Sequence, residues 1–265
     1  MLDIEQIKNK IHLADCLEFM PNIPDKSIDC IICDLPYGTT CLKWDSIIDF
    51  NLLWAEYKRI IRKDGVIVLF AIQPFTTKLV ASNMDMFHYI WTWKKDTPTG
   101  FLNANYAPLK ATEDICIFSH GKVGSLSKNP IRYFPQGVKE VNKSKVNNPN
   151  SNWRKNKGYP STGNKLNSNE SYVQKYTGYP SNILEFARDK DAIHPTQKPV
   201  KLLEYLIKTY TKEGEVVLDN CSGSGSLAVA AYNTRRNFIC IEKNEEYYNK
   251  SVERLERVRN QLSLF

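Results

Sequence analysis

Val216-Val217-Leu218-Asp219-Asn220-Cys221-Ser222-Gly223-Ser224-Gly225-Ser226-Leu227-Ala228 is the stretch whose reading decides the fold, with Phe238-Ile239-Cys240-Ile241-Glu242 behind it. It reads as strand, tight turn, helix and strand. Val216 to Leu218 is apolar and rich in β-branched residues. Gly223-x-Gly225-x-x-Ala228 matches the G-x-G-x-x-G/A spacing of a βαβ cofactor turn, where the backbone can approach a ligand closely. Glu242 falls at the end of the second strand, about twenty residues on, where a carboxylate accepts hydrogen bonds from the two hydroxyls of an adenosine ribose. Asp219 stands at the mouth of the turn. An anion there opposes a pyrophosphate and attracts a cationic group such as an α-ammonium, so the pattern favours a zwitterionic nucleoside cofactor over a dinucleotide.

Outward from that turn, helix and strand signals alternate. Ser27 to Cys33 is an apolar run of the kind buried on both faces of a parallel sheet, and it ends directly in Asp34-Leu35-Pro36-Tyr37-Gly38. Pro36 holds Leu35 extended and Gly38 permits the reversal. Lys10 to Cys16 predicts a brief strand ending in an acid, and Leu17 to Met20 a helical turn stopped by Pro21 and Pro24. Phe50 to Ile61 predicts a helix, Val66 to Ala71 a strand, Leu79 to Met86 a helix, and Tyr89 to Trp93 and Asp114 to Phe118 two further strands. Val200 to Tyr210, behind Pro199 at a helix start, and Asn244 to Gln261 predict helices. Such alternation implies a Rossmann-like, doubly wound, mostly parallel α/β sheet.

At 265 residues, 42% hydrophobic and 25% charged, the chain suits one soluble α/β domain with an insertion. No apolar run approaches the ~18 residues of a membrane span, and Met1-Leu2-Asp3-Ile4-Glu5 lacks a signal-peptide core, so a cytoplasmic protein without a membrane partner is expected. Seven cysteines, mostly within apolar runs, imply no disulfide framework. Cys30-x-x-Cys33 has zinc spacing but lies inside a strand-like run with no second ligand pair, so no metal site is expected.

The net charge of +7 is concentrated. Residues 121–190 carry thirteen Lys/Arg against four Asp/Glu, a surplus of 9, and the rest of the chain is close to neutral. That segment is rich in Asn, Ser, Lys and Gly, with rings interleaved at Tyr133, Phe134, Trp153, Tyr159, Tyr172, Tyr176 and Tyr179. Bases for phosphates and rings for stacking describe a nucleic-acid surface, with Arg154, Lys155 and Lys157 its densest cluster. The same composition also describes a disordered linker.

Three motifs in order, Asp34-Leu35-Pro36-Tyr37, His194-Pro195-Thr196-Gln197-Lys198-Pro199 and Asp219-x-x-x-Gly223-Ser224-Gly225, resemble the S-adenosylmethionine-dependent DNA amino-methyltransferases. Catalytic tetrapeptide first, basic segment in the middle and cofactor turn last is similar to the β-class arrangement of that family. The resemblance covers residues 10–120 and 190–255. It departs from the family pattern at Leu35, where a first proline is usual, and at Asn220-Cys221, where Pro-Phe is usual. What it implies is a seven-stranded methyltransferase sheet made of residues 1–120, the catalytic part, and 191–265, the cofactor part, with 121–190 a target-recognition insertion.

The implied chemistry needs these residue types. An exocyclic base nitrogen is a poor nucleophile because its lone pair is delocalised into the ring. Asp34 and the Leu35 carbonyl would each accept one N–H, Pro36 would fix the loop, and Tyr37 would stack on a base flipped out of double-stranded DNA. By resemblance, Asp219, Ser222, Gly223 and Gly225 would hold the amino-acid end of the cofactor and Glu242 its ribose. Asp15 with the Cys16 amide would hold its adenine, and Lys198 would partner its carboxylate. Asp15 is equally readable as a helix cap. Asp at the first tetrapeptide position points to adenine N6. The rivals are cytosine N4, an RNA or protein-amide substrate, and a DNA-binding module with a decayed site. Homodimer formation and an accompanying restriction enzyme are left open.

Overall fold

The computed structural model describes residues 2–38, 46–124, 126–146, 171–190, 193, 194 and 196–262. They divide into two compact units, Met1–Phe134 with Ser181–Phe265, and Pro135–Pro180. In chain order the first unit holds α1 (Ile4–Ile7), β1 (Lys10–Leu13), α2 (Cys16–Phe19), β2 (Ile28–Asp34), α3 (Phe50–Ile60), β3 (Ile61–Ala71), α4 (Phe75–Ser82), β4 (Phe87–Thr99) and β5 (Lys110–Ser119). The second unit contributes β6 (Lys139–Val146) and β7 (Ser171–Thr177), an antiparallel pair. The first resumes with β8 (Ile183–Glu185), α5 (Val200–Tyr210), β9 (Val216–Asp219), α6 (Ser226–Asn233), β10 (Asn237–Glu242) and α7 (Glu245–Leu262).

The sheet of the first unit has the order β1-β10-β9-β2-β3-β5-β4-β8. Neighbours are parallel except at β5, which runs against both β3 and β4. Strand β2 alternates its side chains between two cores. Cys30 and Ile32 face α5, α6 and α7 with Leu206, Ala230 and Leu255, whereas Ile31 and Cys33 face α3 and α4 with Leu53, Tyr57 and Leu79. A strand wholly buried on both faces is why residues 28–33 are an unbroken apolar run rather than an alternating one. Cys30 and Cys33 therefore point to opposite faces, which removes them as a ligand pair.

The expected seven strands are corrected to eight. The additional one is β8, whose Thr92↔Ile183 to Lys94↔Glu185 register extends the edge beside β4. It comes from the stretch read as part of the insertion, and three residues are too few for a periodic signal. Residues 121–134 also lie in the first unit. There Arg132 bonds Asp64 at 2.6 Å and Glu215 at 2.7 Å, Tyr133 stacks on Trp91, and the Phe134 amide reaches Thr209 O at 2.7 Å. Residues 133 and 134, whose rings were read above as nucleic-acid contacts, thus pack along the first unit, Tyr133 remaining 37% exposed. The helix predicted over 79–86 is displaced to Phe75–Ser82, since Pro74 sets its start and Asn83 its end.

The topology has a switch point. From β2 the chain crosses by α3 to β3 on one side, and from β9 it crosses by α6 to β10 on the other, while β2 and β9 are themselves neighbours. In open α/β sheets such a point opens a crevice at the carboxyl ends of the strands. Asp34, Asp219 and Glu242 are the last residues of β2, β9 and β10, so all three arrive at that crevice.

Candidate active site

A cavity of about 640 Å³ lies at this end of the sheet. Asp15, Cys16, Asp34, Leu35, Pro36, Tyr37, Lys198, Asp219, Ser222, Gly223 and Glu242 all line it, which brings together nearly the whole sequence-derived set. Gly225 stands just behind. Arg154, Lys155 and Lys157 lie outside the described residues.

The glycine turn is built from its own backbone. Gly223 (φ 47°) and Gly225 (φ 69°) take left-handed conformations that a side chain disfavours. The Gly225 N–H closes the turn on Ser222 O at 2.8 Å, and the Ser222 N–H bonds Ile241 O at 2.9 Å. A Cβ on Gly225 would lie 2.9 Å from Ser251 Cβ of α7, so this glycine also serves a close approach of helix to turn. Glu242 accepts the Gly223 N–H at 2.7 Å through Oε2 and the Asn244 N–H at 2.8 Å through Oε1, which clamps the carboxylate beside the turn.

Two features fit a polar, partly cationic ligand. Ser222 Oγ is buried without a hydrogen-bond partner among the described residues, a cost that a ligand would relieve. Asp219 is buried, and burial pushes its carboxyl up to about 7 although it accepts the Cys221 N–H at 3.0 Å. A cation arriving there would restore the charged form. Asp15 is both a helix cap and a wall of the cavity: its Oδ1 takes the Leu17 N–H at 2.9 Å, which leaves the Cys16 amide at the first position of α2. At the departure from the family pattern, Asn220 Oδ1 accepts the Tyr57 hydroxyl at 2.5 Å, so a buried polar pair occupies the place of an aromatic wall.

On the other side of the cavity Asp34 is held at both oxygens. Tyr37 Oη donates to Oδ1 at 2.5 Å and Lys198 Nζ donates to Oδ2. Tyr37 also rests against Phe75, with ring centroids 5.0 Å apart. Lys198, which the resemblance implied as a partner of the cofactor's carboxylate, forms an ion pair with Asp34 in this structure. The reason is tertiary: Pro199 starts α5, and Val200 N, at the head of that helix, bonds Asp189 at 3.3 Å, which aims the preceding residue inward.

Glu113 on β5 and Lys95 on β4 extend the pair into a chain of alternating charge, with neither picked out in the sequence. Lys198 Nζ is 3.3 Å from Glu113 Oε2, and Lys95 Nζ is 2.6 Å from Glu113 Oε1. The side chains are only 8% (Lys198), 12% (Glu113) and 8% (Lys95) exposed. Burial raises Asp34, opposed by the Lys198 ammonium and assisted by Glu113. Burial also acts against the Lys198 charge, yet the two carboxylates beside it, Asp34 and Glu113, outweigh that and raise its pKa. Glu113 is held below its ordinary value by Lys198 and Lys95 despite burial. His194, depressed to about 4 by burial and by Lys198, is a neutral imidazole facing Gly223.

No group of three His, Cys, Asp or Glu side chains among the described residues is placed to hold a metal ion, and no helix among them is long and apolar enough to cross a membrane.

Type II methyltransferase M.HpaI of Haemophilus parainfluenzae is 27% identical over 257 residues, covering 92% of this chain and 73% of its own length. The crystal structure of the M1.HpyAVI–SAM complex superposes with a TM-score of 0.57 at 24% identity, covering 93% of this chain and 99% of that one. The cytosine-N4-specific PvuII DNA methyltransferase superposes with a TM-score of 0.62 at 16% identity, covering 95% and 91%. The two structural likenesses concern the fold. The family model described as DNA methylase (N6_N4_Mtase) matches residues 28–253, a span that includes the Asp34 tetrapeptide, the Lys198 block and the glycine turn, and this chain belongs to that family.

Proposed function

We propose that the protein transfers a methyl group from S-adenosylmethionine to N6 of an adenine flipped out of duplex DNA. The observation that carries the reading is the meeting of Asp34 and Tyr37 with Asp219, the glycine turn and Glu242 in one cavity. The cofactor supplies an electrophilic methyl group on a sulfonium. Asp219 takes its ammonium, Ser222 and the turn hold its amino-acid end, Glu242 takes its ribose, and Asp15 with the Cys16 amide takes its adenine.

The chain's own part in the reaction is orientation. Asp34 Oδ1 is occupied by the Tyr37 hydroxyl, a bond that the incoming base amine replaces when the Tyr37 ring turns to stack on the base. Asp34 and the Leu35 carbonyl then each accept one N–H. Two acceptors on a rigid strand end draw the nitrogen toward tetrahedral geometry and free its lone pair for in-line attack. Pro36 keeps the Leu35 carbonyl in place. The Lys198 ammonium opposes the upward pull of burial on Asp34 and so favours its accepting, ionised form. Residues 135–180, the second unit, supply target recognition in this reading. β6 and β7 present Lys139, Lys143, Lys145 and Lys175, and Arg154, Lys155 and Lys157 add charge between the two strands.

Asp rather than Ser at position 34 favours adenine over cytosine N4, although both bases present an aromatic amine to the same acceptors. The test is methylation of unmethylated DNA by the purified protein, followed by hydrolysis to nucleosides, mass spectrometry, and sequencing of the modified DNA. N6-methyladenine in a fixed sequence context is expected. N4-methylcytosine alone would overturn the base assignment, and methylation of RNA or protein but not DNA would overturn the substrate class.

A further inference from the structure

Lys198 is bonded closely to Asp34 and only loosely to everything else around it. Its Nζ has three N–H donors. One goes to Asp34 Oδ2, while the contacts to Glu113 Oε2 at 3.3 Å and Thr196 O at 3.5 Å are long, and Glu113 Oε2 has no hydrogen bond of good geometry. The ammonium lines the same cavity as Asp34 and Tyr37 and lies 5.1 Å from the Phe70 ring centroid. The cavity thus offers, side by side, one anionic acceptor and one cationic donor whose bonds to Glu113 and Thr196 are long enough to be exchanged for a better one.

That pairing matches one chemical edge. Adenine carries its N6 amine next to the bare ring nitrogen N1, and cytosine carries its N4 amine next to the bare N3. Thymine and guanine have a keto oxygen and a ring N–H in the corresponding places. A flipped base is read through hydrogen bonds to its Watson–Crick edge. We propose that Lys198 is the second half of the base reader: it donates to the ring nitrogen beside the target amine while Asp34 accepts from the amine. Glu113 and Lys95 are positioning residues. Lys95 anchors Glu113 at 2.6 Å, and Glu113, 3.3 Å from the ammonium, gives it a second anionic neighbour as it turns from Asp34 toward the base. A keto base meets an N–H donor with an ammonium and a carbonyl with a carboxylate, both repulsive. A base without the ring acceptor leaves a buried donor unpaired, which costs more than the absence of a hydrogen bond alone.

This inference rests on the base-amine reading above, and the test separates the two. Duplexes are made with adenine or 1-deazaadenine at the methylated position, the second having the amine but a C–H in place of N1. Deletion of the ring nitrogen makes the amine a better nucleophile and weakens the base pair, and both changes favour methylation of the analogue. The expected result is nevertheless a fall in kcat/KM of about 10- to 100-fold for the analogue with the unaltered protein. In Lys198→Met the ratio between the two substrates should collapse to within about twofold, and in Glu113→Gln it should shrink part of the way. Calorimetric titration with S-adenosylmethionine checks that the variants are folded, and the comparison with the unaltered protein needs no variant. Equal or faster methylation of the analogue by the unaltered protein would overturn the role of Lys198 and leave the methyltransferase intact, as would a ratio unchanged in a folded Lys198→Met. No transfer to either duplex would overturn the base-amine reading and this one with it. If the product is N4-methylcytosine, cytosine and 3-deazacytosine replace the two bases, with the same outcomes.

Discussion

The turn between β9 and α6 and the basic stretch at 121–190 contrast in how their residues acquire a role. In the turn, the backbone conformation itself is a local matter. Gly223 and Gly225 are required by left-handed backbone, and Ser222 and Gly225 close the turn on each other. In the basic stretch, composition pointed one way and packing another: Arg132, Tyr133 and Phe134 serve the first unit, and Ile183–Glu185 becomes a strand of its sheet. A motif whose spacing is dictated by backbone geometry can be assigned from the chain alone. A surplus of charge says only that something anionic is nearby, and for Arg132 that is Asp29, Asp64 and Glu215.

The strongest way to break the contrast is at Asp34, which belongs to a strand end as tightly specified as the turn. Asp34→Ala should lose methyl transfer by ~10² to 10³ in kcat while cofactor binding, read by calorimetry, is kept. A loss of both together would show that the two sides of the cavity fold as one. Gly225→Val comes next. It meets Ser251 Cβ at 2.9 Å and forces a β-branched residue into a left-handed conformation, so thermal unfolding should report a loss of roughly 1–3 kcal/mol together with weakened cofactor binding. Unchanged binding would remove the turn from the site.

The third test is electrostatic. Burial holds the Asp219 carboxyl at about 7, and only its ionised form attracts an ammonium. Cofactor affinity should accordingly rise with pH through 7 and level off above it, falling by about tenfold per unit below. Asp219→Asn should flatten that dependence, and an unaltered profile would move the ammonium elsewhere. The smallest effect is expected in the basic stretch: Arg154, Lys155 and Lys157 changed together to Ala should lower the slope of log K against log salt by about 0.9 for each phosphate no longer neutralised. An unchanged slope would put this cluster beside Arg132, charge without a nucleic-acid partner.

Much of the candidate site was legible, and the reason is geometric. Asp34, Asp219 and Glu242 each follow a short apolar run, and a parallel sheet delivers the residues at such strand ends to one crevice. Helices α3 and α5 were legible through their apolar spacing, and α5 also through Pro199 at its start; Asp49 proves to cap α3 in the structure. Glu113 and Lys95 were not. Each sits inside a strand among residues of no distinctive spacing, and a lone charge in a strand reads as a solvated face until its partner is known.

By itself, the amino-acid sequence determined the alternation of helix and strand, the two-faced burial of β2, the left-handed glycine turn and the acids at the strand ends. All of these follow from short-range periodicity and backbone sterics. Only the tertiary structure decided that β8 joins the sheet, that residues 121–134 pack in the first unit, and that Lys198 meets Asp34. Those outcomes depend on pairs separated by 91 residues for Lys94 and Glu185 and by 164 for Lys198 and Asp34. No local period or propensity records an encounter at that distance, because whether two such groups meet is set by the sheet order.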